Sequence, residues 1–537
     1  MLVCVVVSRA AGQAQPWWNN AVYYRILVDS FKDGDGDGLG DLRGVTKQLS
    51  YVRAVGADAV ILSPIVARSA DCGKPGTVDF SEIDQRYGTM DNFDNLIEKA
   101  KKLELKLVIT LSLQTISSES ELFKSSAERV AGYEDGVIWK AGNPDNTPSM
   151  EEGITTWIYH EPGNGYYASS NNEVLLNLCS ETVVAMLKAA QCAWLRRGVA
   201  GVLLNPDFPS NLRCGEQLLK KLAADAMSCV RSAGLDTPVI LVETSLRQEA
   251  AAMYYEDGGV GANSILSKAL ATPTRLAAEL ALGFHAAILT APQDTTPTWI
   301  TSFPNESRTA TRYGSDMIDA INLLALTLPG SPVIQQGDEL GTADAILEWA
   351  TRSHCWPNVL TPSSAPFPWD DTVNAGFTSG EPWLPLAPNY RYANAKSEYA
   401  NDFSHLGVMR VAAALRRSPA FGPHVEIKRI NGAIAILRWG GQGSLLLIAN
   451  VAKDTSEVQI SKIPGLPTEM TVATSSGGSS LSVSSHLSIE KSLKMSPGET
   501  VLLAGGPRHC GGPGPVDKIA TKLSEGWQKI NKYFGNI

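Results

Sequence analysis

Between residues 21 and 340, short β-branched apolar runs alternate with stretches whose apolar residues recur every three to four positions. That alternation predicts strands buried on both faces and separated by amphipathic helices, the pattern of an α/β fold with a parallel sheet. The runs cover 21–27, 57–63, 106–112, 201–204, 238–243, 261–266, 299–303 and 331–335. Eight of them predict a (β/α)8 TIM barrel, whose functional side chains gather at the C-terminal strand ends. Residues 113–180 break the rhythm with Asn, Gly, Ser and Pro around Trp139, Trp157, Tyr166 and Tyr167, which predicts a lobe inserted after strand three. A helical pattern over 405–417 gives way to period-two alternation over 425–503, which predicts a C-terminal antiparallel β-sandwich.

The expected organisation is therefore an N-terminal segment (1–16), a barrel in two parts (17–112 and 181–420), an inserted domain (113–180), a β-sandwich (421–504) and a terminal Gly/Pro hinge with a helix (505–537). In that last piece Ile519, Leu523, Trp527, Ile530 and Phe534 recur at helical spacing, and the expectation is an amphipathic helix packed back on its own protein.

Net charge is −9, and the 46 basic and 55 acidic residues are interspersed, which argues against a nucleic-acid partner or an anionic membrane surface. The eight cysteines contain no C-x-x-C pair, so structural zinc is not expected, and spacing alone does not fix a disulfide pattern. The first residues, Met1-Leu-Val-Cys-Val-Val-Val7 followed by small residues, resemble the end of a secretory signal, which predicts a secreted protein. If the chain continues upstream, the same run reads as the tail of a membrane span, with the folded part on the extracellular face. Asp33, Asp35, Asp37, Leu39 and Asp41 follow the alternate-residue ligand spacing of a calcium loop, with Gly38 at the sharp turn. Position twelve is Gly44 rather than Glu, so the loop is not an EF-hand.

Trp17-Trp18, Tyr23-Tyr24-Arg25, the run Ser30-Phe-Lys-Asp-Gly-Asp-Gly-Asp-Gly-Leu-Gly-Asp-Leu-Arg-Gly-Val45, Gly88-Thr-Met-Asp-Asn-Phe-Asp94, Leu326-Thr-Leu-Pro-Gly-Ser-Pro332 and Phe367-Pro-Trp-Asp-Asp-Thr-Val-Asn-Ala-Gly-Phe377 occur in one order. In that order they resemble the α-amylase superfamily, glycoside hydrolase family 13, in its insect-type maltase (α-glucosidase) branch. The resemblance spans residues 17–504. It implies a barrel with an insertion after strand three and a C-terminal β-sandwich, and it identifies the acidic loop with the family's structural calcium site.

Retaining glycoside hydrolysis uses one carboxylate to attack the anomeric carbon and a second carboxyl, about 5 Å away, to protonate the departing oxygen. By resemblance, Glu243 in Val239-Ile-Leu-Val-Glu243-Thr holds the acid position, while the nucleophile position is Asn205 and the neighbouring Arg position is Leu203. The third carboxylate position is Asn305, in Phe303-Pro304-Asn305. The family's Asp, Asn and His after strand three are Thr110, Gln114 and Thr115, and its pocket Tyr-Asp is Pro75-Gly76. Asp207 lies two residues beyond Asn205, several ångströms along an extended chain. Asn305-Glu306-Ser307 is also a glycosylation sequon.

An amide is a poor nucleophile and carries no charge to stabilise an oxocarbenium-like transition state. The resulting expectation is a secreted, non-catalytic maltase homologue that binds a protein or glycan partner, with Glu243 a leftover or a hydrogen-bonded buried carboxylate. Two alternatives stand beside it. One is the heavy-subunit ectodomain of a heteromeric amino-acid transporter, for which Cys4 is the cysteine nearest a membrane segment; the other is an active α-glucosidase of carbohydrate metabolism.

Overall fold

The computed structural model of the 537-residue chain describes residues 16–142, 156–205, 212–255, 260–292, 295–304, 306–350 and 361–508. The expected N-terminal signal-like segment and the terminal amphipathic helix lie outside the described residues, as do Asp207 and Asn305.

Eight parallel strands close into a barrel: β1 (Tyr23–Ile26), β2 (Ala59–Leu62), β3 (Lys106–Ser112), β4 (Gly201–Asn205), β5 (Val239–Val242), β6 (Ser264–Ser267), β7 (Thr298–Ile300) and β8 (Ser331–Gln335). The ring runs β1-β8-β7-β6-β5-β4-β3-β2 and closes on itself. All eight lie on predicted runs. The sixth begins later than predicted, because Asn263 turns its side-chain oxygen to the Ile240 backbone N–H (2.8 Å), ahead of the Leu241–Ser264 pairing where the β5–β6 ladder begins.

Strand periodicity explains the two buried layers. Tyr23, Ala59, Ile61, Val108, Leu203, Leu241, Leu266, Ile300 and Val333 share one buried cluster and fill the bore. Their neighbours Tyr24, Val60, Ile109, Leu204, Val242, Ile265, Trp299 and Ile334 belong to the larger core packed under the helices.

The helix α1 (Leu42–Val55) starts at Asp41, whose carboxylate accepts from the Gly44 N–H. The helix α2 (Glu181–Arg197) stops at Gly198, whose φ of +118° a side-chain-bearing residue rarely adopts. From there the chain feeds β4 at Gly201, where an added Cβ would sit 2.2 Å from the Val239 carbonyl oxygen. This is the predicted helix-to-strand passage. The helix α3 (Leu212–Ala233) returns from β4, and two disulfides, Cys179–Cys214 and Cys192–Cys229, join the segments on either side of that strand.

Between β3 and α2, five short strands (Thr115–Ile116, Trp139–Lys140, Thr156–His160, Gly165–Ser170 and Glu173–Leu175) form a separate antiparallel sheet. Phe123, Trp139, His160 and Tyr167 pack edge-on and stacked beneath it. After α4 (His405–Arg416), the strands β9 (His424–Ile430), β10 (Ala433–Trp439), β11 (Ser444–Asn450), β12 (Ser456–Gln459), β13 (Glu469–Ser475), β14 (His486–Ser488), β15 (Ser492–Met495) and β16 (Thr500–Gly505) make a six-stranded antiparallel sheet faced by the β12–β15 pair. Leu446, Ile448, Val472 and Leu503 meet Val458, Leu493 and Met495 between the two layers. Among the described residues, no helix is long and apolar enough to cross a membrane.

Candidate active site at the barrel mouth

Leu204 pairs with Val242 in the β4–β5 ladder, so Asn205 and Glu243 stand side by side one step further on. Leu203 and Leu241 point into the bore, and period two therefore turns Asn205 and Glu243 inward at its C-terminal mouth. The structure brings together the two strand-end positions that the sequence singled out.

Glu243 carries a partner that the sequence reading missed. Arg25 of β1 donates from Nη1 to Oε1 (2.6 Å) and from Nη2 to Oε2 (2.9 Å), a two-pronged, charge-assisted contact. The side chains are 4 % and 14 % exposed, so the pair is largely withdrawn from water. In the ring order, β1 and β5 are four places apart in either direction. The pair thus crosses the bore and floors the mouth. Its signal in the sequence was the parity of Arg25, two residues after the inward Tyr23, but the partner strand was not legible without the barrel order.

Gln114, just past β3, donates from Nε2 to the Asn205 side-chain oxygen (2.8 Å). An amide pair therefore occupies the place where the family resemblance implied an attacking carboxylate. Thr110 is buried and spends its hydroxyl on the Leu62 carbonyl (2.7 Å). Pro75 and Gly76 are buried beneath Ile116, whose backbone an added Cβ at Gly76 would strike at 2.5 Å.

Two more mouth residues, Gln335 and Lys268, escaped the sequence reading, and Phe303 entered it only through the motif that ends at Asn305. Gln335 ends β8 in register with Arg25; it is 3 % exposed, and among the described residues neither amide atom has a hydrogen-bond partner. Phe303 packs against the bore cluster, and the Lys268 ammonium lies 4.5 Å from its ring centre. Gln335 and Lys268 were visible only as isolated polar residues near strand ends.

In the acidic loop, Asp33, Asp35 and Asp37 each place a carboxylate oxygen within 4.8 Å of the others, a donor set that fits a hard cation. Burial works against the charge on Asp33, but hydrogen bonds from the Thr378 hydroxyl and the Gly36, Gly38 and Asp35 N–H groups outweigh it and hold the carboxyl below its ordinary range. Leu39 lies in the same loop, its N–H donating to Asp37 (2.7 Å). Asp41, the last of the alternate acidic positions, also caps the following helix. Its oxygens accept from Gly34 (2.9 Å) and Gly44 (2.7 Å) as the cap of α1, burial pushes its pKa up, and it stands outside the three-carboxylate group.

The closed barrel, the inserted sheet after its third strand and the carboxylate at the end of its fifth define a barrel of glycoside-hydrolase type. The chain belongs to the α-amylase family: residues 25–205 and 274–421 match the family described as Alpha amylase, catalytic domain. Maltase 1 of Drosophila virilis is 28 % identical, the match covering 91 % of this chain and 86 % of that protein. A salivary α-glucosidase of Anopheles gambiae is 27 % identical over 75 % of this chain and 78 % of its own length. The Escherichia coli trehalose-6-phosphate hydrolase is 26 % identical over 84 % and 93 %. The crystal structure of the trehalulose synthase MutB from Pseudomonas mesoacidophila MX-45 superposes with a TM-score of 0.78 at 22 % identity, covering 92 % of this chain and all of that one, a likeness of fold.

These relatives overturn the expectation of a non-catalytic protein. They carry the names of maltases, glucosidases and a hydrolase, and the amide at Asn205 is a change within a family of enzymes. Physically, losing one member of a catalytic set does not abolish the contributions of binding and of the remaining groups.

Proposed function

We propose that this chain is a secreted α-glucosidase-type enzyme of carbohydrate metabolism, acting on α-glucosides at the barrel mouth with Glu243 as its working carboxyl group. The observation that carries the reading is the inward placement of Glu243 at the end of β5, fixed by Arg25 and flanked by the Asn205–Gln114 amide pair. The glucosidase and maltase names of its relatives support the substrate class. The disulfides flanking β4 and the salivary glucosidase relatives support an oxidising, extracellular setting.

In this reading the Glu243 carboxylate, ionised against Arg25, takes a proton from water as the water oxygen bonds to the anomeric carbon. It hands that proton to the glycosidic oxygen as the bond between that oxygen and the anomeric carbon breaks. Asn205 and Gln114 orient hydroxyl groups and form no covalent intermediate. A transition state with positive charge beside neutral amides is less stabilised than one beside a carboxylate, so turnover falls below the enzyme median of about 10 per second. The test is release of glucose from maltose, sucrose and an aryl α-glucoside by the purified chain, beside Glu243→Gln. Turnover that drops at least about 100-fold in the variant supports the reading; turnover no higher than in that variant overturns it.

We also propose that Asp33, Asp35 and Asp37 hold a structural calcium ion. The convergence of their three carboxylates supports this, and the loop's remaining donors fix its shape.

A further inference from the structure

The charges at the mouth do not balance as a pocket for neutral sugars alone would suggest. Inward parity places eight residues at the strand ends: Arg25, Ser63, Ser112, Asn205, Glu243, Lys268, Ser302 and Gln335. Glu243 is the one carboxylate among them, and Arg25 neutralises it. Lys268 is left over. It follows β6 by one residue, its carbonyl anchors a turn by accepting from Ala271 (3.0 Å) and Thr272 (2.9 Å), and among the described residues no carboxylate lies within ion-pair distance of its ammonium. What it faces is the ring of Phe303.

A second cation stands beside it. Arg312 is held by the carbonyl oxygens of Ala271 and Thr301 and by the Ser302 hydroxyl, all neutral acceptors. Its nearest carboxylate, the half-exposed Glu306, is 3.9 Å away. Among the described residues, the β6–β7 side of the mouth therefore carries positive charge in excess, in a partly dry setting where charge is felt strongly. Beside β7, at the end of β8, the Gln335 amide is buried with both polar atoms unpartnered among the described residues, a costly arrangement unless a ligand completes it.

We propose that the mouth is selective for anionic α-glucosides, sugars bearing a phosphate ester or a uronic carboxylate, with Lys268 receiving the anion and Gln335 a ring hydroxyl. This rests on reading the mouth as an α-glucoside site and deepens it by naming the substrate class. It also bears on the missing negative charge. An anion on the sugar would lie near the cation that develops during cleavage and supply part of what Asn205 cannot.

Titration calorimetry on the full chain with glucose, glucose 6-phosphate, glucuronate and inorganic phosphate tests the proposal. At low ionic strength at least one anionic sugar binds ten or more times tighter than glucose. The preference shrinks as salt rises, and Lys268→Met removes it. The stronger of the two anionic sugars identifies the anion as phosphate or carboxylate. The salt dependence is read on the unmodified protein and so survives any folding defect in the variant. Equal affinities for glucose and both anionic sugars overturn the proposal. So does a preference that Lys268→Met leaves intact, or inorganic phosphate binding as tightly as glucose 6-phosphate. Binding is read without turnover, so the two readings fail separately: a chain that hydrolyses maltose but binds anionic sugars no tighter than glucose keeps the glucosidase reading and loses this one.

Discussion

Replacing Arg25 by Met removes one half of a buried ion pair and leaves the other half in place. With contacts of 2.6 and 2.9 Å and side chains 4 % and 14 % exposed, water replaces little of what the guanidinium supplied. Stranding one partner of such a pair typically costs about 3–5 kcal/mol, most of it the cost of a charge left buried without its counter-ion. For a protein of this size that corresponds to a fall in melting temperature of roughly 3–7 °C. Glu243→Gln strands Arg25 in the same way, so the single losses do not add. The double variant is expected to be more stable than their sum by at least about 2 kcal/mol. Thermal and urea unfolding of the four proteins close the cycle. A coupling energy below about 0.5 kcal/mol, the level of additivity between distant sites, would falsify the claim that the pair acts as one buried unit.

Four further outcomes are expected. Asn205→Asp restores a carboxylate beside Glu243 and raises kcat on an aryl α-glucoside by at least about 100-fold; an unchanged or lower rate means the mouth no longer has the reacting geometry. Chelation lowers the melting temperature of the parent protein but not that of an Asp33→Asn/Asp35→Asn variant, as differential scanning calorimetry with and without excess calcium will show. Burial pushes the Glu339 carboxyl, which accepts from the Tyr24 and Tyr51 hydroxyls, up to about 7. Its unfolded value is about 4.3, so its stabilising contribution is complete below that pH and is lost as pH rises through 7; melting temperatures between about pH 5 and 8 should fall more steeply in the parent than in Glu339→Gln. Reduction of Cys179–Cys214 and Cys192–Cys229 opens loops 35 and 37 residues long, each worth about 4 kcal/mol on chain-entropy grounds; a reductant that leaves the melting temperature unmoved shows that native packing alone holds β4.

The barrel was legible because its signal is local. Each strand is a short apolar run, several of them bounded by Gly, Pro or Asn, and the runs 106–112 and 331–335 coincide with strands that need no tertiary information to be seen. The mouth was legible only in part. Asn205 and Glu243 were found because each ends such a run, and a strand end is a position in sequence. Arg25, Lys268 and Gln335 were missed because their roles depend on which strand faces which across the bore, a fact of ring order. Asp41 shows one spacing carrying two meanings. Its spacing suits a ligand, but Asp is also a favoured helix cap, and α1 begins at the very next residue.

The bar that Arg25 and Glu243 throw across the bore has a consequence for the life of the chain before it is whole. The partners are 218 positions apart, and a ribosome adding about 5–20 residues per second needs roughly 10–40 s to cover that distance. Throughout that interval the nascent N-terminal portion carries a cation destined for the dry centre of the barrel and has nothing to set against it. The first strands cannot settle as a finished layer, and closure of the ring waits longer still for Gln335 to come alongside Arg25. A buried charge placed so early, with its answer placed so late, delays commitment to the barrel until most of its strands exist.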